Sequence, residues 1–312
     1  MQRCMIATKM NCSIEPFYVA NGGDAFSKRY QVRQLIDQGR NGRVYAAKRI
    51  CDSLPVTIKI IGNFKGRMDP VNKQLPLEVS LLQKLSHIEG VIKLIEWFRN
   101  RNTLFIVMEY VESCIDIRRL NKKKGLTPEL TRSLFLQLVK TVMECHAAGV
   151  IHRDIKPQNI LVNQRTNTIK LVDFGSASYF QELYHSSTCR GTQVYMPLEM
   201  HRNRRYNGVA AEIWSLGVTL FYMASGRLLY GNAYQLSQME EKGIVPPKNL
   251  PKHCWNLIGD MLKFDWTERI SLEKVLQHPY LQTPHGFSNI KRRQLYDLFR
   301  RFKPDFRGCM CI

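Results

Sequence analysis

The run His152-Arg153-Asp154-Ile155-Lys156-Pro157-Gln158-Asn159, followed by Asp173-Phe174-Gly175, decides how this chain reads. Moving a phosphoryl group requires metal ions that bridge phosphate oxygens and a carboxylate that orients the attacking hydroxyl. An aspartate, an asparagine five residues on and a second aspartate fourteen residues beyond it supply those parts in order. Chance rarely assembles this combination.

Outward from that core, the chain changes character at Tyr110. Upstream, Val44-Tyr45-Ala46-Ala47, Val56-Thr57-Ile58-Lys59-Ile60-Ile61 and Thr103-Leu104-Phe105-Ile106-Val107-Met108 are short β-favouring runs, with a helical segment around Leu77 to Leu85 between them. Downstream, Thr127 is placed to cap a helix with Pro128 in its first turn. Leu134, Leu138, Val142 and Met143 then recur at helical spacing, and Gly149 lies near the end. Trp214 to Met223 and the stretches around Leu257 and Val275 also read as helices. The expectation is a small β-rich lobe followed by a larger helical one. Residues 1–27 show no periodicity and contain Asn21-Gly22-Gly23-Asp24, so they read as a flexible leader.

Composition narrows the class. With 44% hydrophobic and 23% charged residues among 312, the chain is globular rather than fibrous or disordered. No apolar run approaches the ~20 residues that cross a bilayer, and the first fifteen residues are too polar for a signal-peptide core. A cytoplasmic protein that also reaches the nucleus is expected. Nine cysteines, odd in number, scattered and without a CxxC pair, argue against a disulfide framework or a zinc knuckle. Against 26 acidic residues stand 46 Lys and Arg, a formal charge of +20. Such a field attracts nucleic acid, anionic membrane or acidic protein without choosing among them. No zinc-finger, RNP-like or helix-turn-helix signature accompanies it, so nucleic acid is not expected as the primary partner.

From about residue 30 to 281 the motifs resemble those of eukaryotic protein kinases in the family's order. The resemblance implies an α+β, two-lobed protein kinase fold: a domain at 28–281 with a small β-rich N-lobe (about 28–109) and a larger helical C-lobe (about 112–281). A leader at 1–27 and a basic extension at 282–312 flank it. It also implies ATP and Mg²⁺, and protein substrates. By position, Asp154 orients the substrate hydroxyl, Asn159 and Asp173 hold metal, and Lys59, held by Glu78, positions the phosphates. Lys156 and Thr192 steady Asp154 and the transferred group, which points to Ser/Thr acceptors. Gly39 and Gly42 match the nucleotide-covering loop, although Asp37 replaces its first glycine. Ile36, Val44, Thr57, Met108 and Leu161 match the adenine slot, and the Glu109 carbonyl and Val111 amide its hydrogen-bonding edge. His152 is expected to pack beneath the loop against Phe174, and Arg269 to pair with a buried Glu199.

Within that superfamily the chain is most similar to the Pim serine/threonine kinases, in Leu54-Pro55-Val56, Leu77-Glu78-Val79, Gly90-Val91-Ile92, Glu96-Trp97-Phe98 and Thr192-Gln193-Val194-Tyr195. Three departures follow. Glu109-Tyr110-Val111 lacks the Pim proline and offers the ordinary adenine-binding backbone. Asp116, which the resemblance places beside the ATP site, remains from the acidic residues that hold basic substrates, but Arg119 and Gln158 replace others. Thr188 stands where Pim kinases carry an aspartate, which makes Arg153 a partner for a phosphate on Thr188 and implies an upstream kinase. The alternative function is a pseudokinase scaffold without catalysis, supported by Asp37 and by Glu212 ahead of Ile213-Trp214. Beyond Asn289, Leu295, Leu298, Phe299 and Phe302 share a helical face flanked by arginines. That basic helix fits docking on the larger lobe, an anionic membrane or a calmodulin-like groove, and Cys309 is placed for lipidation. Oligomeric state leaves no mark in the sequence.

Overall fold

A computed structural model describes residues 22–39, 41–181, 183–185, 191–202, 205–245, 247 and 250–282. Thr188, Cys189, the expected helix at 290–302 and Cys309 lie outside the described residues. The described chain divides into two compact units, one of residues up to Lys65 with Leu94–Tyr110, the other of Gly66–Lys93 with Val111 onward.

The first unit opens with α1 (Gly22–Arg29) and continues through β1 (Tyr30–Gly39), β2 (Gly42–Arg49), β3 (Pro55–Ile61), β4 (Leu94–Asn100) and β5 (Thr103–Glu109). The strands pair antiparallel in the order β1-β2-β3-β5-β4. Side chains alternate across a strand, so register sorts them between the two faces. Val56, Ile58 and Val107 share one face with Ala47, where Phe26 of α1 stacks on Phe105 at 4.3 Å and meets Phe98 edge-on at 5.7 Å. The other face takes Val44, Thr57, Lys59, Ile106 and Met108, because Val44 pairs with Lys59, Lys59 with Ile106 and Thr57 with Met108. α1 begins inside the stretch expected to be a leader. Phe26 is its one buried apolar anchor, too few for a periodic signal, and Arg29 ties its end to Glu96 at 2.9 Å.

The second unit holds α2 (Leu77–Lys84), β6 (Cys114–Asp116), α3 (Ile117–Asn121), α4 (Pro128–Ala147), β7 (Val150–Ile151), β8 (Ile160–Asn163) and β9 (Ile169–Leu171). It continues with β10 (Ser178–Tyr179), β11 (Tyr184–His185), α5 (Leu198–Arg202), β12 (Arg205–Tyr206) and α6 (Gly208–Ser225). α7 (Ala233–Lys242), α8 (Lys252–Met261), α9 (Leu272–Gln277) and α10 (Pro279–Gln282) close it. Residues 66–93, expected in the N-lobe, group here because α2 packs on β10 and on the 3-10 turn Phe174–Ser176. The Thr127 hydroxyl accepts from Leu130 N at 3.3 Å and starts α4, as its sequence foretells. Asn207 caps α6 in the same way, accepting from Ala210 N at 2.9 Å. By length and apolarity α6 is able to cross a membrane, but 78% of it is buried within the protein, which makes it the core helix of this unit.

Gly90 lies against α4 with no room for a side chain. A Cβ there would collide with Thr141 Oγ1 and sit 2.8 Å from its Cγ2. Gly90→Ala is therefore expected to destabilise the protein by ~1–3 kcal/mol, the usual range for overpacking. Thermal melts should show the loss, and adding Thr141→Ala should restore part of it; an unchanged midpoint would contradict the close packing.

Candidate active site

β7 delivers the chain to His152, and the 3-10 turn Pro157–Asn159 returns it to β8. Three side chains converge there on one carboxylate. Lys156 Nζ donates to Asp154 Oδ2 at 2.7 Å and to Thr192 Oγ1 at 2.7 Å. The Thr192 hydroxyl donates to Asp154 Oδ1 at 3.0 Å, and Asn159 Nδ2 donates to the Asp154 carbonyl at 2.9 Å and to Oδ2 at 3.2 Å. Asp154 is buried at 6% exposure, and an ammonium and two neutral donors face its carboxylate. Thr192 reaches it only because Gly191 crosses the loop closely, with φ 118°. A Cβ at Gly191 would lie 2.6 Å from the Arg153 carbonyl.

The loop is held from below. His152 Nε2 bonds the Val172 carbonyl at 3.0 Å, so it carries the proton, while Nδ1 accepts from Asp154 N at 3.3 Å. Its ring meets Phe174 edge-on at 4.7 Å, the structural role expected for it. Glu212 of α6 performs a second support that its sequence context concealed. Its Oε1 accepts from Arg153 N at 2.8 Å and its Oε2 bonds His146 Nε2 at 2.5 Å. Burial opposes the charge on Glu212, but His146 and the Arg153 amide outweigh it and hold the carboxyl below its ordinary range. That anchored amide belongs to a residue with φ 66°, a left-handed backbone a single hydrogen bond helps to hold. The Arg153 guanidinium lies over the Tyr184 ring at 4.9 Å and donates to the Tyr206 hydroxyl at 2.8 Å.

Asp173, also left-handed at φ 61°, opens the turn Phe174–Ser176 and accepts from Gly175 N at 3.4 Å. The segment behind it is braced from the loop before α2, where Arg67 donates to the Gly175 and Ala177 carbonyls at 3.1 and 2.7 Å. Asp69 joins the brace by accepting from Tyr179 at 2.6 Å and from Ser80 at 2.5 Å. Neither Arg67 nor Asp69 was legible as a site residue, since their partners lie about a hundred positions away. Burial raises the Asp69 pKa, but the Ser80, Tyr179, Asn72 and Val71 donors together hold it at about 2 against an ordinary 3.8. A depressed carboxyl pKa contributes stability that is complete above about 4 and lost as pH falls towards 2. Asp69→Asn is accordingly expected to lower stability at pH 7, with the gap to wild type closing between pH 4 and 2. Urea melts along that range check it; a gap independent of pH would deny the ionic part.

The remaining expected residues fall as follows. In the first unit β1 and β2 close at Gly39 and Gly42, and Asp37 pairs with Val44 across that hairpin with its side chain exposed. Lys59, at 3% exposure, shares the β3 face with Thr57, next to Val44 and Met108 on the neighbouring strands. Ile36 is exposed at 39%, and Glu109 ends β5. In the second unit Glu78 stands in the first turn of α2, Val111 precedes β6, and Leu161 of β8 pairs with Asp116. Asp116 caps α3, accepting from Arg119 N at 2.9 Å. Among the described residues no cluster of three His, Cys, Asp or Glu could hold a metal; the oxygen donors of Asn159 and Asp173 are instead the hard ligands that suit Mg²⁺.

Comparison with known proteins agrees with this geometry. Residues 30–281 match the family model of the protein kinase domain. The serine/threonine-protein kinase prk-2 of Caenorhabditis elegans is 35% identical over 269 residues, covering 84% of this chain and 60% of its own length. The serine/threonine-protein kinase pim-2 of Danio rerio is 32% identical over 286 residues, 86% of this chain and 89% of its length. The probable serine/threonine-protein kinase MARK-A of Dictyostelium discoideum is 31% identical over 259 residues, 81% of this chain and 24% of its length. The chain thus spans less than two thirds of the worm and Dictyostelium relatives and most of the fish one. It belongs to the protein kinase family, in its serine/threonine branch.

Proposed function

We propose that this protein transfers the γ-phosphate of ATP to serine and threonine hydroxyls of protein substrates. The observation that carries the reading is the Asp154, Lys156, Thr192 and Asn159 constellation, complete and mutually hydrogen-bonded. Asp154 holds the substrate hydroxyl and takes its proton, and Lys156 offsets negative charge beside it. With its Nδ2 committed to Asp154, Asn159 offers Oδ1 to metal alongside the Asp173 carboxylate. Bound Mg²⁺ neutralises phosphate charge during transfer. Within the first unit, Lys59 by its charge and the Gly39 to Gly42 hairpin by its backbone amides suit nucleotide phosphates.

The scaffold alternative loses its main support. Glu212, which stood out as a departure, binds the Arg153 amide and His146 and so serves the catalytic loop, and the Asp37 side chain is exposed. Purified protein incubated with labelled ATP, Mg²⁺ and a degenerate Ser/Thr peptide library is expected to yield phosphoserine and phosphothreonine, and chelation should stop it. Absence of incorporation above an Asp154→Asn control would overturn the reading. The Thr188 switch remains part of the proposal, since a phosphate on Thr188 would be attracted to the Arg153 guanidinium beside the catalytic loop. Phosphatase treatment should then lower turnover, and full activity of protein shown by mass spectrometry to lack phosphate would exclude the switch.

A further inference from the structure

We propose that a basic groove beside the catalytic loop is a substrate subsite for an anionic side chain, a glutamate, aspartate or phosphorylated residue near the acceptor hydroxyl. The inference rests on the kinase reading and adds to it a class of substrate. The groove lies within the second unit and encloses about 490 Å³ between Arg118 and Arg119 of α3, Lys122 and Lys123 just beyond it, and Gln158 and Tyr195. Its position next to the chemistry follows from the chain. Gln158 sits between Lys156 and Asn159 in the same 3-10 turn, and Tyr195 ends the turn that begins after Thr192. The buried Tyr195 hydroxyl feels the charges of both Arg118 and Asp154. A peptide whose hydroxyl reaches Asp154 therefore has its flanking residues beside these cations.

The charge in the groove is mostly uncompensated. Asp116 is the one carboxylate paired with it among the described residues, 3.7 Å from Arg118 Nε and 3.2 Å from Arg119 Nε. Arg118 and Arg119 share that single partner, no carboxylate pairs with Lys122 or Lys123 among the described residues, and Gln158 adds no charge. An arginine-bearing peptide would meet repulsion here, and an acidic one attraction.

The backbone that carries two of these cations is held in place. Lys122 and Lys123 occupy consecutive left-handed conformations, φ 48° and 63°, which L-residues adopt at a cost of ~1–2 kcal/mol each. The buried Asn121 holds this turn in place: its amide donates to the Tyr222 and Met223 carbonyls at 2.7 and 3.2 Å, and its Oδ1 accepts from Gly125 N at 2.7 Å. Lys122, the first of the two, is the left-handed residue that ends α3, so the turn that terminates the helix also sets where both lysines leave the backbone. A turn fixed in this way loses less backbone freedom when a ligand binds than a free loop does.

The test uses the full chain and a family of peptides with one serine acceptor. A single variable residue is walked from five positions before the serine to five after it, as Glu, phosphoserine, Gln or Arg. At one or two positions kcat/KM should rise about five- to tenfold for Glu over Gln, more for phosphoserine because it carries nearly twice the charge, and fall for Arg. The preference should fade with added salt. The Lys122→Glu/Lys123→Glu variant should reverse the order of Glu and Arg peptides while the Gln peptide keeps its kcat/KM within about twofold of wild type. Fluorescence anisotropy of the same peptides without ATP separates this proposal from the kinase reading. Selective binding of Glu or phosphoserine peptides that the variant loses would support the subsite even if no phosphate were transferred. Equal rates and equal binding for Glu, Gln and Arg peptides would overturn it. So would binding of a single-stranded DNA oligonucleotide with indifference to every peptide, which would make the groove a nucleic-acid contact.

Discussion

Asp154→Asn is expected to lower kcat by about 10²–10⁴-fold, the range associated with a positioned general base. Asparagine has nearly the shape of aspartate, so the loop should survive. What changes is the ability to take a proton and the charge facing Lys156, 2.7 Å away. The amide must also present an NH₂ group to one of the donors now directed at the carboxylate, Lys156, Thr192 or Asn159. That mismatch costs about one hydrogen bond, ~1 kcal/mol, and a thermal midpoint lower by a few degrees at most. Loss of turnover with retained folding and retained nucleotide binding, followed with a fluorescent ATP analogue, is the expected pattern. Turnover within threefold of wild type, in preparations free of contaminating kinase, would remove Asp154 from its assigned role. Lys156→Ala is a useful companion. It removes one charged partner of Asp154 and the Thr192 contact but leaves the base, so its loss should be the smaller of the two.

Local spacing explains why so much of this site could be read from the sequence. Asp154, Lys156 and Asn159 lie within one turn of chain, and a rigid loop converts their spacing directly into geometry. Thr192 is thirty-six residues from Lys156, and only the family resemblance placed it there. Glu212 shows the opposite case. Compared with the usual aspartate it looked like a weakness, because its partner His146 is sixty-six positions away and no spacing links them. α1 escaped notice for a related reason, since Phe26 packs on Phe98 and Phe105 from strands far along the chain. Of the groove residues, Arg119 and Gln158 were visible in the sequence only as replacements for acidic ones. Their meaning as a groove required Tyr195 and the Asn121 anchor on α6, both supplied by tertiary structure.

Arg269→Met is expected to give the largest loss of stability of any single change considered, ~3–5 kcal/mol, because it strands a buried carboxylate. Arg269 donates to Glu199 through Nη1 at 2.5 Å and Nη2 at 2.9 Å, a bidentate pair with side-chain exposures of 0% and 6%. It also donates to the Ala210 carbonyl at 3.0 Å and, through Nε, to Lys263 O at 2.8 Å, and it lies 4.9 Å over the Trp214 ring. One guanidinium thus links α5, α6 and the loop between α8 and α9. Trp214 extends the link, donating to the Tyr230 hydroxyl at 2.9 Å, which donates to the Met196 carbonyl at 2.7 Å. Met196 and Glu199 follow Thr192 closely, so loosening this anchor should also weaken the Thr192 contact with Asp154 and reduce kcat. If the stranded carboxylate is the main cost, Glu199→Gln/Arg269→Met should be less damaging than the sum of its single changes, since the double change removes both charges together. Thermal melts of the three variants decide it. A strictly additive double variant would mean that the packing of Arg269 on Trp214, rather than its charge, holds the chain that follows Thr192. An Arg269→Met midpoint equal to wild type would mean that the pair stabilises nothing.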